Sequence, residues 1–134
     1  MNRNAPCPFC SIPQSEIVYQ NSHCYARYDR YPVSKGHLLI IPFRHVENFF
    51  DLSQDERQTA FGLVGEAKRK LDTDFQPDGF NIGVNVGVAA GQTVSHVHIH
   101  LIPRYHGDVD QPEGGVRGVI PKMRRYRGAE DCRG

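Results

Sequence analysis

Residues 93–104 read TVSHVHIHLIPR, and three of the seven histidines of the chain stand there at every second position. Between them lie Val97 and Ile99, and Leu101 follows. A period of two belongs to a β-strand, in which successive side chains point to opposite faces. His96, His98 and His100 then share one face, while Val97, Ile99 and Leu101 share the other and can pack on a core. A fold that accommodates this stretch needs a sheet with one face buried and the other free to hold a row of imidazoles. One exposed histidine would be an ordinary surface residue. Three in register, beside the Gly-containing loop GVAAGQTV (87–94), point to chemistry.

Two kinds of chemistry suit such a row. Same-face neighbours on a strand are roughly 7 Å apart at the backbone, and two of them can share a tetrahedral metal, whereas three converge with difficulty. Alternatively, one neutral imidazole attacks an electrophile while its neighbours orient it and stabilise charge. Phosphorus is a good electrophile for this purpose, because a phosphoramidate to histidine forms and hydrolyses readily.

The rest of the chain supplies a sheet and a helix. Strand composition recurs over 16–20, 23–29, 37–42, 80–86 and 95–102, and the first two runs form a hairpin across Asn21-Ser22. YPVSKG (31–36) is a turn, and residues 44–50 form a short helical turn. The clearest helix starts at Ser53, which with Glu56 makes a capping box. Ala60, Val64, Ala67 and Leu71 continue it as an apolar stripe to about residue 73, and Lys68, Arg69 and Lys70 complement the dipole of its last turns. Strands, one long helix, then strands predict an α+β domain: an antiparallel sheet with the long helix and the short one packed on it. The tail, 104–134, is polar, basic and Gly-rich; covering the site, reaching a partner and disorder all stay open for it. At 134 residues the chain suits a single domain, 1–134.

Several classes are excluded. The net charge of +1, from 16 basic and 15 acidic residues, gives no reason to expect a nucleic-acid partner, and the basic run KMRRYR (122–127) reads as solvated surface. No apolar run approaches membrane-spanning length, and the N-terminus lacks the apolar core of a signal peptide, so a cytoplasmic location is expected. Cys7 and Cys10 form a Cys-x-x-Cys pair, while Cys24 and Cys132 lack such spacing. Metal binding, a redox pair and an inert reduced pair are the alternatives; a thioredoxin-like pair should lie where a strand meets a helix, and nothing here does so.

GQTVSHVHIHLIPR resembles the His-φ-His-φ-His-φ-φ signature of the histidine triad (HIT) superfamily, and the resemblance runs from CPFC through GHLLIIPFRHVENFFDLS to the triad. It implies a HIT-like fold and a nucleotide hydrolase or transferase working at the α-phosphate. His98 would be the nucleophile and carry a nucleotidyl-histidine intermediate. His100 would donate to a phosphate oxygen, and His96 would complete the triad. Gln92 and Thr93 match positions on the phosphate chain and leaving group, Asn85 a phosphate contact, Asp29 a ribose contact and His37 a histidine beside the site. Tyr25, Tyr28 and Ile12 are candidates for the base pocket. The GQTV loop resembles the fragile histidine triad branch, and GGVRGVIPK in the tail resembles bacterial diadenosine tetraphosphate hydrolases. The resemblance therefore favours dinucleoside polyphosphates as substrates. A purine-nucleoside phosphoramidase, a phosphorylase and a non-catalytic nucleotide-binding module are the alternatives.

The Cys pair departs from the fragile branch. Related uridylyltransferases and some bacterial triad proteins use two cysteines, a histidine after the Ile-Pro strand and the first triad histidine as zinc ligands; here these are Cys7, Cys10, His45 and His96. The implied zinc is structural, with four protein ligands and no open position, and would anchor a zinc-type N-terminal segment, 1–14. No catalytic cofactor is required. The resemblance also implies a homodimer, with the 53–73 helix and the 80–86 strand as interface elements.

Overall fold

The computed structural model describes residues 6–125; residues 1–5 and 126–134 lie outside it. With them fall Cys132, both ends of the expected domain, and the last two residues of the 122–127 run. The elements are β1 (Tyr19–Gln20), β2 (Cys24–Tyr28), β3 (Leu38–Pro42), α1 (Gln54–Phe75), β4 (Gly79–Val84) and β5 (Ile99–Arg104), with short 3₁₀ turns before, between and after them. All strand pairs are antiparallel, in the order β1-β2-β3-β5-β4. The α+β expectation holds; the short helical turn expected over 44–50 is displaced, and is a single 3₁₀ turn at Phe49–Asp51.

The core forms because β2, β3 and β5 each turn one apolar row towards α1. Ala26, Leu38, Ile40, Ile99 and Leu101 meet Ala60, Leu63, Val64, Ala67 and Leu71, all buried. Burying each Leu or Ile side chain is worth about 1.5–3 kcal/mol relative to exposure. Ser53 caps α1 as its sequence predicts: its Oγ accepts from the Glu56 N–H at 3.0 Å, and Glu56 accepts from the Ser53 N–H at 2.8 Å. The helix passes residue 73 and ends at Phe75, so Lys68–Arg69–Lys70 are not in its last turn. Lys68 and Lys70 instead reach one turn forward to Asp72 and Asp74, both at 2.7 Å. Gly36, at φ +89°, turns the chain into β3 beneath the end of α1. A Cβ there would sit 2.9 Å from the Phe75 ring.

Three strands differ from expectation by more than one residue at an end. The 16–20 run contributes only Tyr19–Gln20, because Pro13 leads into a 3₁₀ turn over Gln14–Glu16. The fourth strand spans 79–84 instead of 80–86. The 95–102 run is displaced: a bend at 94–96 precedes the ladder, which starts at Ile99 and extends to Arg104. The Val97 N–H goes to the Val46 carbonyl at 2.7 Å, not to a sheet neighbour. Among the described residues no helix is long and apolar enough to cross a membrane.

Candidate active site and metal centre

Along β5 burial alternates: Ile99, Leu101 and Pro103 are buried against α1's side, while His100, Ile102 and Arg104 are half-exposed on the opposite face. That second face carries the site. His98 stands one step before the ladder, 8% exposed, its ring 5.2 Å from that of His100. A cavity of 520 Å³ opens there, bordered by Asp29, Asn85, Thr93, His98 and His100.

The ring nitrogens of the site are assigned by their partners. His98 Nδ1 lies 2.9 Å from the His96 carbonyl, which only accepts, so Nδ1 carries the proton and Nε2 keeps a bare lone pair. His37 Nδ1 accepts from the Val33 N–H at 3.1 Å, so its proton sits on Nε2. That Nε2 donates to His100 Nδ1 at 2.9 Å, and His100 must therefore carry its own proton on Nε2. A backbone amide thus dictates, through two rings, that His100 offers an N–H. Asp29 Oδ2 lies 3.5 Å from His37 Nε2, while its Oδ1 accepts from the Tyr31 N–H at 2.9 Å. Burial holds the pKa of His37 below its ordinary 6.5, opposed by Asp29. Burial, then His98 and His37, push His100 down to about 4. Both are neutral near pH 7, as the tautomer chain requires. Asp29, His37 and His100 lie close enough to hold a cation, but the proton on His37 Nε2 occupies the lone pair that a ligand would need.

The other candidates are distributed around this centre. Asn85 and Thr93 border the cavity. Gln92 lies behind the loop, 3% exposed. Its Oε1 accepts from the Gly87 N–H, and its Nε2 donates to the carbonyls of Glu47 and Val94. His37 stands behind His100 and is 2% exposed. Of the base-pocket candidates, Tyr28 packs on Phe75 on the α1 side, away from the cavity. Tyr25 is buried beneath Phe9, whose carbonyl accepts from its hydroxyl at 2.6 Å, and Ile12 packs on the same cluster. Sequence reasoning missed Phe9. Its ring packs edge-on against both His96, at 6.0 Å, and His98, at 5.1 Å. Its place between the two cysteines was the available signal. Leu39 and Val94, also missed, supply apolar cavity wall.

Cys7, Cys10, His45 and His96 converge beside His98 although up to 89 residues apart. Their ligand atoms all lie within 4.8 Å of one another. His96 is fully buried and donates from Nε2 to the Pro42 carbonyl at 2.7 Å. Its Nδ1 is therefore the unprotonated nitrogen, and it faces Cys7 Sγ at 3.3 Å and Cys10 Sγ at 3.6 Å. His45 Nδ1 lies 3.2 Å from Cys10 Sγ. A ring oriented by a carbonyl on its far nitrogen is the usual support of a zinc-binding histidine. Without a cation, burial and Cys7 raise the pKa of the Cys10 thiol; a bound cation would reverse that tendency. The donor set fits a four-coordinate zinc ion.

The HIT domain model matches residues 12–107. An AP-4-A phosphorylase of Mycobacterium tuberculosis is 34% identical over 126 residues, covering 88% of this chain and 64% of that protein. An asymmetrical bis(5'-nucleosyl)-tetraphosphatase of Schizosaccharomyces pombe is 36% identical over 97 residues, covering 72% and 53%. The crystal structure of a HIT family protein from Bacillus anthracis superposes with a TM-score of 0.71 at 39% identity, covering 76% of this chain and 75% of that one. A Zn-bound histidine triad family protein from Mycobacterium smegmatis gives a TM-score of 0.65 at 29% identity, with 78% and 70% covered. With the family model spanning most of the sequence, this chain belongs to the HIT domain family.

Proposed function

We propose that this HIT-family enzyme, a nucleotide hydrolase or transferase, splits dinucleoside polyphosphates of the diadenosine tetraphosphate type at the α-phosphate, through a nucleotidyl-histidine at His98. The observation that carries this reading is the pair of assigned tautomers: a bare Nε2 on His98 beside an N–H on His100. In the first step the Nε2 lone pair forms a P–N bond to the α-phosphorus. The P–O bond to the leaving phosphate breaks, and that oxygen departs with the electron pair. The His100 N–H donates to a phosphate oxygen as charge builds there. The positive charge on the modified ring is shared through Nδ1–H with the His96 carbonyl. Water then attacks phosphorus, the P–N bond breaks, and the nucleoside monophosphate leaves with His98 restored. Inorganic phosphate in place of water gives the phosphorylase variant, and a P–N substrate gives the phosphoramidase. Asn85 and Thr93 serve the phosphates, Asp29 the ribose, and Gln92 the shape of the loop that presents Thr93.

Zinc held by Cys7, Cys10, His45 and His96 belongs to the same proposal. It would be structural, tying the N-terminal segment to the catalytic strand and pressing Phe9 against His98. So does a two-fold dimer. In support, among the described residues β4 is an edge strand paired on one side only, with Ile82 46% exposed, and Phe61 on α1 is 51% exposed.

The reading is tested by incubating the protein with diadenosine tetraphosphate and, separately, adenosine phosphoramidate, and following products by chromatography. AMP with ATP is expected from the first, and none from His98→Ala. ADP with ATP in phosphate buffer identifies the phosphorylase. Preference for the phosphoramidate moves the enzyme to that branch. Tight nucleotide binding without turnover of either substrate would overturn the catalytic reading.

A further inference from the structure

The 520 Å³ cavity is large enough for a small ligand and accounts for one nucleotide. A second cavity, of 370 Å³, meets it at His100 and Asn85, which border both. Its remaining walls include Ile102 of β5, Gly83 of β4 and, from the tail, Gly115, Val116 and Val119. A third, of 840 Å³, shares Asn81, Ile102 and Gly115 with the second and opens between Lys35, Arg104 and Arg124, with Asp108 as a carboxylate paired to Arg104. The three form one groove along the β5 face. From His98 to Arg104 it runs roughly 20 Å at about 3.3 Å per residue.

The tail is built to form that wall. Gly114 and Gly115 both have positive φ and turn the chain into a 3₁₀ segment, Gly115–Val119. The Arg124 side chain ties it back, donating to the carbonyls of Glu113 at 3.2 Å and Gln111 at 2.7 Å. Gly115 lies so close to β4 that a Cβ would come within 3.3 Å of Asn81 Nδ2. Yet Val116 and Val119 are left 63% and 77% exposed beside the catalytic histidines. Exposed apolar side chains gathered at a polar cleft mark a contact surface.

We infer that this groove is a second nucleotide subsite, in which Val116 and Val119 face the base of the departing half of a dinucleoside polyphosphate. This rests on the hydrolase reading above. The phosphate chain crosses at His100 and Asn85, the two residues common to both cavities. The departing half then has an apolar wall beside it and the cations of the third cavity beyond it. The tail is thereby a specificity element: a substrate with a small leaving group has no use for it.

The test measures binding by calorimetry in the full chain carrying His98→Asn, so that nothing is consumed. Diadenosine tetraphosphate is expected to bind about tenfold or more tightly than AMP, each tenfold being about 1.4 kcal/mol. Val116→Asp with Val119→Asp should remove most of that advantage and leave AMP affinity in place. Val116→Ala with Val119→Ala, which demands nothing of the fold, should remove a smaller part. Equal binding of the two ligands by the parent overturns the subsite. So does a parallel loss for both ligands accompanied by altered mass in light scattering, which would make this surface a protein interface. Turnover is followed separately with His98 intact. Tight tetraphosphate binding lost in the Asp variant, without AMP release by the intact chain, sinks the hydrolase reading and leaves the second subsite standing.

Discussion

The proton positions of four histidines follow from three backbone groups: the Val33 amide and the carbonyls of His96 and Pro42. His37 is the residue through which one of these acts, and it touches no cavity bordered by His98. His37→Ala removes the donor to His100 Nδ1 and frees that ring to place its proton on the wrong nitrogen. A fall in kcat of about 10²-fold with little change in KM is expected, within the range for general acid–base groups. His37→Gln, whose amide N–H can donate in its place, should recover part of it. A loss confined to KM would count against the positioning role. The same burial has a pH signature. The unfolded chain protonates His100 near 6.5, whereas the folded chain resists down to about 4. Between those values the unfolded state binds the extra proton, so this group lowers stability as pH falls from 6.5 towards 4 and adds no slope below. Denaturant titrations across that window should show a shallower slope in His100→Asn. The row of histidines was legible from its period alone. The His37–His100 bond was not, because it joins residues 63 apart and depends on the register Leu39↔His100 between β3 and β5.

At the scale of elements, α1 shows what local sequence specifies and where it stops. Its start is written in Ser53 and Glu56, and both reciprocal bonds form. Ser53→Ala should cost about 1 kcal/mol, read as a lowered urea midpoint with unchanged slope. Glu56 adds a second duty: it is buried and accepts from Arg44 at 2.7 Å, which with the Ser53 bonds pulls its pKa down to about 2 from 4.5. The folded carboxylate is thus favoured at every pH above 4.5, and its contribution fades as pH falls through 2. The helix end was misjudged from Lys68–Arg69–Lys70, because a basic cluster reads as a last turn when its acidic partners one turn on are overlooked. Phe75 then places its ring over Gly36, a contact no local pattern announces. The strand bearing the triad was misplaced for a similar reason. Alternation alone extends it back to Ser95, but the Val97 amide is taken by Val46 and the chain bends there. That bend sets His96 apart from its two neighbours in the row.

Across the whole molecule, the consequence is a division of labour within one motif. His96 turns to the cysteines of a segment at the other end of the chain, while His98 and His100 face the cavity. The four candidate ligands come from the N-terminal segment, the loop after β3 and the lead-in to β5. A zinc ion there would close loops of some 35 and 89 residues at once. Cross-links over loops of this length restrict the unfolded chain by about 3–5 kcal/mol in the loop-entropy picture used for disulfides. Binding that needs the folded site adds to stability by linkage. The purified protein is therefore expected to carry one zinc per chain by elemental mass spectrometry. Cys7→Ser with Cys10→Ser should lose it and melt at a lower temperature. Phe9, held between those cysteines, packs on His98, so the metal-free variant should also lose catalytic rate, by loosening the nucleophile and not by removing a participant. Its residual activity would then keep the same dependence on leaving group. A variant lacking zinc with undiminished melting temperature and rate would show that the Cys7–Phe9–Cys10 segment is held by its apolar contacts with Tyr25, Leu39 and Ile41 alone.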